Sequence, residues 1–73
     1  MKSFYQFMMR YRGNKQLDDQ RKLADWMFYD ASFPKHTKDY DEISSYIEWH
    51  TPFSSAIVTF DQLWDEYTEQ ENK

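Results

Sequence analysis

Apolar residues recur along the chain at helical spacing in four stretches. Phe4, Phe7, Met8 and Tyr11 fall at i, i+3, i+4 and i+7, one stripe of an amphipathic helix. Ser3 with Gln6 forms a Ser-x-x-Gln capping box ahead of it. Arg10 and Arg12 suit the negative C-terminal end, and Gly13-Asn14 supplies a stop, so a first helix is predicted over residues 3–12. Leu23, Ala24, Met27, Phe28 and Ala31 make a second stripe, widened by Trp26 and Tyr29. Asp18 and Asp19 can cap it, with Leu17 ahead as a staple residue. Phe33-Pro34 ends it, because the residue before a proline is pushed out of helical space. This predicts a helix over 18–30 and a loop over 32–38.

Asp39 with Glu42 is an acidic capping pair opening a third helix, in which Tyr40, Ile43, Tyr46, Ile47 and His50 keep the period. Thr51-Pro52 then reads as an N-cap and a first-turn proline. Phe53, Ala56, Ile57, Phe60, Leu63, Trp64 and Tyr67 follow as the most regular stripe in the chain. Thr59 with Gln62 is a second cap signal, which leaves open whether 52–69 is one helix or two. The polar tail from Thr68 to Lys73 is expected to fray. The core expected from these stripes is Phe4, Phe7, Met8, Leu23, Met27, Phe28, Ile43, Ile47, Ile57, Phe60, Leu63 and Trp64.

Length and composition narrow this to a compact four-helix, all-α single domain over residues 1–73. One glycine and two prolines argue against a turn-rich β fold. Fifteen aromatic residues can supply much of a small core, since each buries roughly 150–250 Å². With no cysteine, a disulfide framework, a thiolate nucleophile and a cysteine-based zinc site are excluded. The N-terminus does not read as a signal peptide and no apolar run reaches membrane-spanning length, so a cytoplasmic location is expected.

The net charge of −4 is unevenly placed. Residues 1–22 carry +4 and residues 23–73 carry −8, so the chain is electrically lopsided.

Beyond periodicity, particular words in the chain resemble a known family. Met1-Lys2-Ser3-Phe4-Tyr5, Ser32-Phe33-Pro34-Lys35, the stretch from Asp39 to Tyr46 and the stretch from Thr59 to Tyr67 together resemble the YozE family of small Gram-positive bacterial proteins. The resemblance runs through essentially the whole chain in one order. It implies a fold similar to the sterile alpha motif (SAM) and brings no catalytic or binding residues to carry over. SAM-like domains serve in protein association and, in some relatives, in nucleic-acid binding, and the fold does not choose between them.

Candidate chemistry is sparse. His36 and His50 are the only histidines, and neither lies in a nucleophile or metal motif. No catalytic, cofactor-binding or metal-ligating residue is assigned, and no cofactor, membrane or small-molecule substrate is expected. Two surfaces remain. Arg10, Arg12, Lys15, Arg21 and Lys22 bracket the first turn and can form a basic patch for nucleic acid. Asp61, Asp65 and Glu69 recur at i, i+4 and i+8 beside Glu66, a stripe in which no lysine lies at helical spacing from Asp61 or Asp65. The expected function is a non-catalytic binding module, for a protein partner ahead of nucleic acid, monomeric or weakly self-associating.

Overall fold

The computed structural model describes residues 2–72; Met1 and Lys73 lie outside them. Four α-helices make up the fold: α1 (Phe4–Met8), α2 (Asp19–Tyr29), α3 (Tyr40–His50) and α4 (Ala56–Glu71), with a 3₁₀ segment, Met9–Gly13, continuing α1. The body measures 30 × 28 × 21 Å.

The capping box forms as its sequence dictates. Ser3 Oγ accepts from the Gln6 amide at 3.2 Å, and Gln6 Oε1 accepts from the Ser3 amide at 3.0 Å. The predicted helix over 3–12, however, is α-helical for only five residues before it tightens into the 3₁₀ segment. With about three residues per turn instead of 3.6, the side chains after Met8 are re-aimed. Tyr11 then reaches Glu66 on α4 and Arg12 reaches Asp25 on α2, contacts that bind the segment to both helices. Gly13 does not take up left-handed backbone, and Asn14 ends the segment in an extended conformation.

Asp18 caps α2 through the Arg21 amide, and the helix ends at Asp30, three residues before the Phe33-Pro34 stop. Asp39 caps α3, with its carboxylate on the Asp41 amide. Thr51-Pro52 does not open the last helix. Thr51 closes α3 in the left-handed region (φ 36°), its hydroxyl donating to the Glu48 carbonyl at 2.8 Å, and α4 begins only at Ala56. A single helix then runs past the expected fraying point to Glu71, and Thr59, the second cap signal, is buried inside it. A β-branched residue in left-handed backbone costs about 1–2 kcal/mol. Thr51→Gly should therefore raise stability by about 1 kcal/mol, less the lost hydroxyl bond, read as a higher midpoint in urea.

The core is aromatic at its centre. Phe4 touches Phe60 edge-on at 5.2 Å, Trp64 at 5.4 Å and Tyr67 edge-on at 5.5 Å. Tyr67, fully buried, donates its hydroxyl to the Lys2 carbonyl and so ties the N-terminal strand of chain to the far end of α4. Three expected core residues lie further out. Ile57 and Trp64 are partly buried at the core's edge, and Phe28 is 43% exposed. Phe28 stands about 100° around α2 from Met27, past the edge of the strip that faces the core. The space is filled instead by Ala24, Ala56, Tyr67 and a loop residue, Phe33, which is only 3% exposed.

Candidate interaction surfaces

Phe33 anchors a second aromatic cluster where α2 and α3 meet. Its ring lies edge-on to Trp26 at 5.7 Å and to Tyr46 at 5.4 Å, and His50 stacks on Tyr46 at 4.0 Å. Asp30, at the end of α2, holds this junction together. It accepts from the Tyr46 hydroxyl at 2.6 Å and from the Ser32 amide at 3.0 Å, and its backbone carbonyl accepts from Lys35 Nζ at 3.2 Å. The Tyr46 bond holds the Asp30 carboxyl below the usual carboxylate range. Burial and then the Asp30 bond push Tyr46 up to about 12. Burial and the Glu66 bond push Tyr11 likewise to about 12.

Both phenols are favoured neutral in the fold. Their contribution to stability is complete below the ordinary tyrosine value of about 10 and is lost as pH climbs through the raised values. Urea midpoints should thus fall between about pH 10 and pH 12, and Tyr46→Phe should flatten that fall.

Beside this junction lies an open depression lined by Phe33, Pro34, Lys35, His36 and Glu42 among others. Among the described residues no three His, Asp or Glu side chains are grouped as a metal ion would need.

The five cations of the predicted basic patch sit on the 3₁₀ segment, the turn after it and the first half of α2. Two of them converge on a single carboxylate. Arg12 Nε donates to Asp25 Oδ1 at 3.0 Å, while Arg21 Nε lies 3.4 Å from Asp25 Oδ2 without hydrogen-bond alignment. Lys22 is 3.7 Å from Asp19. Arg10 lies over the Phe7 ring at 4.5 Å, and Lys15 is exposed. What sequence reasoning missed is the aromatic half of this face. The Arg12 guanidinium lies 3.6 Å from the centre of the Phe28 ring and 5.2 Å from that of Tyr29.

The acidic stripe follows one outer face of α4. Asp61, Asp65 and Glu69 are exposed; Glu66 sits to the side, half-buried, accepting from the Tyr11 hydroxyl at 2.9 Å. Every ion pair among the described residues lies on α2 or between α2 and the 3₁₀ segment, and none touches the stripe. Tyr40, at the first position of α3, leans across to α4. It stacks on Phe60 at 5.3 Å and donates to Asp61 at 2.7 Å, a bond that raises its own pKa. Val58, 57% exposed, stands three residues before Asp61 on the same face. The stripe was legible from its spacing; Tyr40 was hidden because it also fits the apolar stripe of α3.

Comparison with known proteins agrees with the fold. A family model described as the YozE SAM-like fold matches residues 3–69. The chain is 43% identical over 67 residues to the UPF0346 protein YuiB of Lactococcus lactis subsp. lactis (strain IL1403), covering 92% of this chain and 97% of that one. It is 48% identical over 67 residues to the UPF0346 protein SERP0997 of Staphylococcus epidermidis (strain RP62A), covering 92% and 88%. It is 46% identical over 68 residues to a UPF0346 protein of Streptococcus pneumoniae (strain P1031), covering 93% and 96%. None of these names states an enzymatic activity. No helix among the described residues is long and apolar enough to cross a membrane.

Proposed function

We propose that this chain, which belongs to the YozE SAM-like family, is a non-catalytic protein-interaction module whose α4 face takes a basic segment of a partner. The observation that carries this reading is the unneutralised stripe. Asp61, Asp65 and Glu69 stand exposed on one face, and among the described residues no cation pairs with them. Like charges at i, i+4 cost a few tenths of a kcal/mol per pair, a cost that a basic partner reverses. Val58 and Tyr40 give the same face an apolar point of attachment inside the charged rim. Such an arrangement steers encounter through charge and fixes register through the apolar contact.

The test is chemical-shift mapping of the labelled protein against an amphipathic lysine- and leucine-rich peptide. The reading expects shifts concentrated on Tyr40 and on residues 58–69. Shifts scattered over the surface, or confined to the α2–α3 junction, would contradict it.

A further inference from the structure

A second face of the molecule, on α2, combines positive charge with exposed aromatic rings. Residues Arg21, Lys22, Asp25, Phe28 and Tyr29 recur at i, i+1, i+4, i+7 and i+8, so they share the outer side of α2. Two aromatic rings are left in solvent there, with Tyr29 75% exposed and Phe28 43% exposed. They lie edge to face at 5.1 Å, and Arg12 braces both: its guanidinium lies over Phe28 and it reaches the Tyr29 hydroxyl at 3.4 Å. The pair is therefore a fixed platform and not two loose side chains. Arg10, Arg12, Lys15, Arg21 and Lys22 set five cations on this helix, the segment packed against it and the turn between them. Within residues 10–29 only three carboxylates, Asp18, Asp19 and Asp25, accompany them, and Glu66 of α4 approaches from the side through its bond to Tyr11. Arg21 is held by charge alone, its Nε without a hydrogen-bond acceptor. Positive charge with open ring faces is the chemistry that recognises single-stranded nucleic acid: cations follow the phosphates and bases stack on the rings.

We infer that the α2 face built on Arg12, Phe28 and Tyr29 binds single-stranded nucleic acid, with Tyr29 as a base-stacking residue and Arg21 and Lys22 on the phosphates. This site shares no residue with the α4 face and does not depend on its occupation. Stacking needs an unpaired base, so a duplex presents no equivalent partner to Tyr29.

Fluorescence anisotropy with a labelled mixed-sequence oligonucleotide tests this, using DNA and RNA versions of one sequence, the matching duplex and poly-glutamate. The expected result is binding of the single strand that weakens steeply between about 50 and 200 mM salt and exceeds duplex binding. Tyr29→Ala should weaken it by roughly 5- to 100-fold, Tyr29→Phe should retain it, and Lys22→Gln should reduce the salt dependence. Tyr29 is so exposed that these variants keep the fold, which circular dichroism checks. The DNA and RNA arms show which strand is preferred, either preference supporting the site. Equal binding of duplex or of poly-glutamate, no binding at the lower salt, or an unchanged Tyr29→Ala would each overturn it.

Discussion

Tyr67→Ala should be the most destabilising single truncation in the chain, costing about 3–5 kcal/mol. The side chain is fully buried, its ring lies 5.0 to 5.5 Å from Trp64, Phe4 and Phe7, and its hydroxyl bonds to the Lys2 carbonyl. Removing a buried aromatic side chain costs about 3–5 kcal/mol through lost transfer energy and the cavity left behind. At about 0.05–0.15 kcal/mol per residue, a chain of 73 residues has only about 4–11 kcal/mol in total. The truncation therefore removes between about a quarter and all of it. Tyr67→Phe keeps the ring and loses one hydrogen bond, about 0.5–1.5 kcal/mol, because the Lys2 carbonyl can turn to water. Circular dichroism against urea separates the two. A Tyr67→Ala protein that melts cooperatively within about 1 kcal/mol of the parent would show that α4 is not pinned to the N-terminus in this way.

Asp65→Lys should do the reverse and stabilise the fold. Asp65 stands four residues from both Asp61 and Glu69, so the substitution turns two like-charge relations into two opposite ones. The gain is about 0.5–1.5 kcal/mol at low salt, a rise of several degrees in melting temperature for a domain of this size, and it shrinks as salt is added. A surface position at which the natural residue is the destabilising choice is one where something other than the fold sets the sequence. Binding should fall in the same variant, so stability and binding move in opposite directions. A melting temperature that drops would mean that Asp65 is held by a favourable contact within the domain.

How much of this was open to reading from the chain depends on how local each determinant is. The capping box of Ser3 and Gln6 is complete within four residues and formed as read. The stripes of α2, α3 and α4 needed only helical periodicity. Thr51-Pro52 was misread because Thr before Pro suits a helix start. Here a left-handed Thr51 ends α3 instead, and the turn to Ala56 takes up Pro52 and Phe53. Phe33 lies in the loop expected there, but its burial was not legible, because only the meeting of α2 with α3 creates the pocket it fills. Phe28 failed for the opposite reason: it fits the stripe, but the 3₁₀ tightening sets Arg12 over its ring outside the core. Of the two surfaces, the acidic one could be read because it lies on a single helix. The partners of Arg12 and Arg21 could not, since Asp25 becomes their shared neighbour only after the first segment has turned onto α2.

The most direct measurement is calorimetric titration of the amphipathic basic peptide into the parent and into Asp65→Lys, at about 50 and 200 mM salt. The α4 reading predicts binding by the parent that weakens at the higher salt. It also predicts binding at least tenfold weaker in Asp65→Lys, although that variant is the more stable protein. Equal affinity for the two proteins would contradict it, and so would a parent that does not bind at the lower salt.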